Sequence, residues 1–170
     1  MPTSNAALIS RRAASLPGNP FAEADARAAA AVAAGKDIID LSKGNPDGWP
    51  PSFVQDALSH ASHNPSLFRY PPFDGLPEYL NAIAGWYSRQ HNVTVDPATQ
   101  LLATSGSSVG ITTVIQALVD PGDTVVAVDP YYPQYEGSTV VAGGQFETIP
   151  ADPSRGFLPD LDAGDPALWT

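Results

Sequence analysis

Two short segments carry residue types that could bind a phosphorylated ligand. The first, "TSGSSVG" (residues 104–110), places Gly106 at a tight turn and Ser107 and Ser108 where a helix is expected to begin. A helix N-terminus has N–H groups without intrahelical acceptors, and its dipole favours anions. The spacing therefore favours an anion site, although a capped helix with no ligand explains the same serines.

The second segment, "DPYYPQY" (residues 129–135), follows the next expected strand and contains Tyr132. Aromatic rings between a strand and a helix either pack in the core or offer a stacking face. A phosphate-binding turn beside a stacking tyrosine is typical of a site for a planar, phosphorylated ligand.

The elements that hold these segments follow from capping residues and hydrophobic spacing. Asn19 and Pro20 begin a first helix that ends at Gly35, and Ser52 is expected to cap another. Further patterns predict helices over 53–63, 76–91, 108–118 and 132–142, and strands over 38–41, 100–103, 124–128 and 145–149.

This alternation predicts an α/β fold with a mainly parallel sheet flanked by helices. The run "TVVAVD" is β-branched and apolar, as strands covered on both faces require. Ligands of such sheets bind at the carboxyl ends of the strands, where both segments lie. An unrelated nucleotide-binding α/β domain is the alternative fold, but its glycine-rich fingerprints are not found.

Composition limits the classes of partner. The 170 residues carry a formal net charge of −10, which disfavours nucleic acid. The sequence has no cysteine, and its three histidines do not stand at ligand spacing with carboxylates, so we expect no metal site. No stretch predicts a membrane span or an export signal, and we expect a soluble cytoplasmic protein.

Five motifs occur in an order that resembles one family. They are "IDLSKGNPD", "RYPPFDGLPEYLNAIAGWY", "TSGSSVGI", "DPYYPQY" and "GFLPDLDA". From about Phe21 to Pro159 the chain resembles the class I and II aminotransferases of the fold-type I pyridoxal-phosphate enzymes. The resemblance implies pyridoxal 5'-phosphate as cofactor, with amino acids and 2-oxo acids as substrates.

The resemblance also implies roles for particular residues. Gly106, Ser107 and Ser108 would hold the cofactor phosphate, and Tyr132 would stack on the pyridine ring. Tyr70 would reach across a homodimer interface to the partner's cofactor phosphate, and Gly44 would place an N–H near the substrate carboxylate.

The same resemblance implies an incomplete enzyme. The family's Schiff-base lysine, pyridine-nitrogen acid and carboxylate arginine all lie later than residue 170, so we expect no catalytic residue here. Lys36 and Lys43 are the chain's two lysines, and neither has the family's context. The chain resembles the N-terminal two fifths of an aminotransferase. Residues 1–47 would form an arm and the start of a small domain, and 48–170 an incomplete large domain.

Two other functions remain open. Other fold-type I enzymes, such as C–S lyases and aminocyclopropane-carboxylate synthases, share these motifs. A non-catalytic truncated fragment is the second alternative, with exposed sheet edges and unpaired apolar faces as its expected signature.

Overall fold

The computed structural model describes residues 8–162 of the chain. The described residues form two compact units, one made of residues 8–43 and 106–162 and the other of residues 44–105. The predicted boundary between a small and a large domain, at residue 47, stays a prediction.

The first unit is built around a small sheet. Within the described residues this sheet has the order β1-β2-β3, with β1 at Thr124–Asp129, β2 at Gln145–Asp152 and β3 at Leu158–Pro159. Strands β1 and β2 pair in parallel, with Thr124 opposite Gln145 and Asp129 opposite Pro150. The two-residue strand β3 pairs antiparallel to β2. The α/β class and the parallel pairing predicted from the sequence are confirmed.

Four helices of this unit are described. They are α1 (Arg11–Ala14), α2 (Pro20–Ala33), α5 (Ser107–Leu118) and α6 (Gln134–Ala142). Helix α6 forms the crossover between β1 and β2 and packs against α5 and β2. Near the N-terminus, the guanidinium Nη1 of Arg12 donates a hydrogen bond to the carbonyl oxygen of Val141, 2.9 Å away. Helix α1 is thereby attached to α6.

The turn between α6 and β2 is closely packed. The Thr139 side chain is completely buried, and its hydroxyl donates to the carbonyl oxygen of Tyr135 over 2.8 Å. A Cβ atom on Gly144 would lie 2.7 Å from a Val119 methyl group and 3.0 Å from the carbonyl oxygen of Asp123. This turn therefore has room only for glycine.

The second unit is helical in its described part. It contains α3 (Ser52–Ala61), a 3-10 turn at Pro65–Phe68 and α4 (Pro77–His91). Helix α4 was predicted within one residue, and it buries Leu80. Asn92 ends it in the left-handed conformation, with φ at 54°.

Three local predictions are wrong. Residues 38–41 and 100–103 are not strands, and neither has a pairing partner within residues 8–162. The N–H of Ala103 donates instead to the Asp74 carbonyl oxygen at 2.8 Å, which is a loop contact. Ser52 is the first residue of α3 rather than its cap, because Pro51 occupies the N-cap position.

Few large apolar side chains are buried. Among the described residues, Leu80 and Ile149 are the buried hydrophobic side chains. Large apolar side chains that remain exposed include Trp49, Phe53 and Leu118.

Candidate functional site

The turn at Gly106 opens helix α5 as the sequence predicts. Gly106 is the N-cap residue with φ 89° and ψ 159°, and the helix begins at Ser107. Within the described part of the chain, no side chain caps this helix and its first turn carries no acidic residue. The first N–H groups of the helix therefore have no intrahelical acceptor, and the helix dipole favours an anion at this end.

Both serines of this turn are exposed, so their hydroxyls and N–H groups can reach a ligand. A Cβ on Gly106 would meet no described atom within 4 Å. The glycine is therefore required by the backbone conformation rather than by crowding, because only glycine adopts this region readily. Because the sequence predicts a phosphate site here, we call residues 106–108 the phosphate turn.

Tyr132 follows strand β1 and leaves much of its ring accessible. Its side chain is 47% exposed, and its centroid lies 6.1 Å from that of Phe21 and 6.0 Å from that of Tyr135. A cleft of about 280 Å³ runs between residues 16–21 and residues 132–134. The ring is thus supported by two other aromatic rings and borders a cleft.

Tyr131 has a different environment from its neighbour. Its hydroxyl donates to the Glu136 carboxylate at 2.7 Å, and its ring lies 4.8 Å from that of Phe146. This hydrogen bond to Glu136 is the main reason that the pKa of Tyr131 is raised above its ordinary value. Tyr131 is therefore held as a neutral donor in the packing of α6 on β2, while Tyr132 offers the available ring.

Gln134 connects the two predicted segments. Its side-chain Nε2 donates to the carbonyl oxygen of Ser108 and, over 3.1 Å, to the Thr112 hydroxyl. The structure thus brings the phosphate turn and the segment of Tyr132 together through this side chain. The sequence analysis missed Gln134, because its partners lie 26 and 22 positions away along the chain and no local pattern marks them.

The remaining predicted site residues are Gly44 and Tyr70 in the second unit. The Tyr70 side chain is fully exposed, and no described atom lies within 4 Å of a Cβ placed on Gly44. Their roles stay predictions.

Lys43 forms an ion pair in the first unit. Its Nζ lies 2.6 Å from the Asp25 carboxylate, with both side chains partly exposed. This contact gives Lys43 a structural explanation, since it joins the segment after α2 to that helix.

Among residues 8–162, no group of three or more His, Asp or Glu is arranged to hold a metal ion.

Several solved structures with the same fold are named aspartate aminotransferases. The chain aligns with the apo-BacF structure from Bacillus subtilis at a TM-score of 0.83 and 33% identity, covering 94% of this chain and 41% of that one. It also aligns with the aspartate aminotransferase from Rhizobium meliloti at a TM-score of 0.80 and 29% identity, covering 88% and 37%. The fold is thus the start of the large domain of these pyridoxal-phosphate-dependent enzymes.

A sequence profile described as aminotransferase class I and II matches residues 36–170. The chain belongs to this family. It is 39% identical over 161 residues to the LL-diaminopimelate aminotransferase of Oleidesulfovibrio alaskensis, covering 95% of this chain and 42% of that protein. It is 41% identical over 153 residues to that of Moorella thermoacetica, covering 90% and 39%. The chain therefore spans about two fifths of these relatives.

The residues present fit the phosphate and the ring of the family's cofactor. An uncapped helix N-terminus with exposed serines suits a phosphate dianion, because N–H groups and hydroxyls donate to its oxygens. The exposed ring of Tyr132 suits a planar heterocycle.

No helix within residues 8–162 is both long and apolar enough to cross a membrane.

Proposed function

We propose that this chain supplies the phosphate-binding and ring-binding part of a pyridoxal-phosphate-dependent aminotransferase. The whole enzyme would transfer an amino group from an amino acid to a 2-oxo acid. The observation that carries the proposal is the contact of Gln134 with Ser108, which joins the phosphate turn to the segment of Tyr132. A phosphate donor set close to a stacking ring is what this cofactor requires.

Pyridoxal phosphate, when bound, supplies an electron sink that stabilises negative charge at the substrate Cα. The chain's own residues bind and orient it. The N–H groups at the start of α5 and the hydroxyls of Ser107 and Ser108 would donate to the phosphate. Tyr132 would cover one face of the ring and keep water from it.

Tyr70 and Gly44, in the second unit, have proposed roles of their own. The complete exposure of Tyr70 supports the proposal that it contacts a second subunit of a homodimer. Gly44 would offer its N–H to the substrate carboxylate, and the open space around it supports this role. We retain a cytoplasmic location as part of this proposal.

The relatives indicate which substrate to test first. The curated relatives named above are LL-diaminopimelate aminotransferases, and one structural relative is an aspartate aminotransferase. We propose LL-diaminopimelate as the first amino donor to assay in the whole enzyme, with aspartate as the comparison. Selective turnover of aspartate would contradict this choice and leave the aminotransferase proposal intact.

Cofactor binding is tested with two probes that differ only in the phosphate. Pyridoxamine 5'-phosphate and pyridoxamine are titrated by fluorescence, because neither needs a lysine for attachment. We expect the phosphorylated probe to bind more tightly. Changing Ser107 and Ser108 together to Ala should weaken its binding by about 1–3 kcal/mol, the range for lost hydrogen bonds to a charged group. Equal affinity of the wild-type protein for both probes would refute the proposal.

The lysines provide a second test. The purified chain of 170 residues is incubated with pyridoxal phosphate and reduced with borohydride, and the labelled lysines are mapped by mass spectrometry. We expect no stoichiometric label on Lys36 or Lys43 and no amino transfer by this chain alone. Full labelling of Lys43 together with turnover would make Lys43 a catalytic residue and would contradict this expectation.

A further inference from the structure

Gln134 is the first residue of α6 and stands two residues after Tyr132. Its carboxamide nitrogen has two hydrogens and can serve two acceptors. The structure gives it two, the Ser108 carbonyl oxygen and the Thr112 hydroxyl. One side chain therefore reaches from the ring-binding segment to the first turn of the helix that begins at the phosphate turn.

A second contact lies one turn further along both helices. The hydroxyls of Thr112 and Ser138 share a hydrogen bond of 2.9 Å, and Ser138 is buried. Ser108 and Thr112 are four residues apart on α5, as Gln134 and Ser138 are on α6, so the two contacts lie on successive turns. Sliding or rotating α5 against α6 would break both contacts together.

The contact with Ser108 involves the phosphate turn itself. The Ser108 carbonyl and the N–H groups of Ser107 and Ser108 belong to consecutive peptide units, so fixing the carbonyl restricts the direction of those donors. A donor set that is already oriented loses less conformational entropy on binding an anion. The side chain that fixes it therefore influences affinity without touching the ligand.

We propose that Gln134 is a positioning residue that sets the chain's preference for a phosphorylated over an unphosphorylated ring. The proposal rests on the proposed function, since it assumes that the phosphate turn binds the cofactor phosphate. A residue that served only to pack α5 on α6 would alter stability and leave this preference unchanged.

The test uses Gln134→Glu and Gln134→Ala in the whole protein. Glutamate keeps the length of the side chain but has no N–H donor and places an oxygen near the Ser108 carbonyl oxygen. Alanine removes the donor without adding charge. The ratio of dissociation constants for pyridoxamine and pyridoxamine 5'-phosphate reports the contribution of the phosphate, and thermal unfolding reports stability separately.

Gln116→Glu is the matched control. Gln116 is exposed on α5, the helix that begins at the phosphate turn, and receives the same change of charge as Gln134, but it lies beyond the first turn of α5. We expect both Gln134 variants to lower the phosphate preference by about tenfold, in line with the loss of one or two hydrogen bonds. Gln116→Glu should keep the wild-type ratio.

The outcomes separate this inference from the proposed function. A wild-type protein that does not prefer the phosphorylated probe would overturn both. A wild-type preference that survives in both Gln134 variants, or falls equally in Gln116→Glu, would overturn only the role of Gln134. Should one Gln134 variant fail to fold, the ratio measured in the other decides.

Discussion

Gly106→Ala is the sharpest test of the phosphate turn, because its cost is conformational. An alanine Cβ would meet no described atom within 4 Å, so no clash contributes. The backbone at φ 89° and ψ 159° lies in a region that is essentially restricted to glycine and costs other residues about 1–3 kcal/mol. The variant can keep this backbone and lose stability, or rotate the following peptide and misdirect the N–H of Ser107.

The second response weakens binding, because restoring the ligand-bound backbone then costs the strain that the rotation relieves, whereas strain kept in both the free and the bound state would leave the affinity unchanged. We expect the rotation, because residues 106–108 are exposed. Affinity for pyridoxamine 5'-phosphate should fall by up to about 5- to 150-fold, which corresponds to 1–3 kcal/mol. Fluorescence titration measures this change, and urea unfolding measures stability.

Gly122→Ala is the matched control, because Gly122 has φ 103° and also has no described atom within 4 Å of a Cβ. It lies in the turn before β1, away from residues 106–108. We expect it to lower the free energy of unfolding to a similar extent and to leave the affinity for the phosphorylated probe unchanged. The reasoning is refuted if Gly106→Ala binds the probe as the wild type does, or if both variants lose affinity equally.

Two further predictions concern Tyr132 and Asp96. Tyr132→Ala should lower the affinity for pyridoxamine and for pyridoxamine 5'-phosphate by similar factors, about five- to tenfold for a lost aromatic contact. Tyr132→Phe should bind both probes with wild-type affinity. A loss of affinity for the phosphorylated probe alone would contradict ring stacking. Asp96 accepts hydrogen bonds from the Ala98 N–H at 3.0 Å and, second in effect, the Thr99 hydroxyl at 2.7 Å, which lower its pKa. Because its pKa is lower in the folded state, this stabilisation is present above about pH 4 and is lost as the pH falls through the folded-state value. The free energy of unfolding, measured as the pH is lowered, should therefore fall less in Asp96→Asn than in the wild type. Identical pH dependence in the two proteins would contradict the lowered pKa of Asp96.

The helices were predictable from the sequence because their signals are local. Asn19 and Pro20 mark the start of α2, and the Asn19 side chain accepts from the Phe21 N–H at 3.0 Å as expected of a cap. The apolar spacing within residues 76–91 likewise predicts α4 within one residue. In each case the deciding contacts lie within a few residues of each other.

Strand identity and the Gln134 contact depend on distant residues and could not be predicted in this way. Residues 100–103 have the composition of a strand, yet a strand exists only where a neighbour pairs with it. Gln134 and Ser108 are separated by 26 positions, and nothing in either segment specifies the other as its partner. The sequence therefore indicated both parts of the site but not the side chain that joins them.

The small number of buried apolar side chains has a calorimetric consequence. Unfolding raises the heat capacity mainly by hydrating apolar surface, by about 12–15 cal/mol/K per residue in ordinary globular domains. Trp49, Phe53 and Leu118 already face solvent in the folded chain, so their hydration changes little when it unfolds. The heat-capacity increment of this chain should therefore lie well below the globular range. Its enthalpy of unfolding should consequently vary only weakly with temperature.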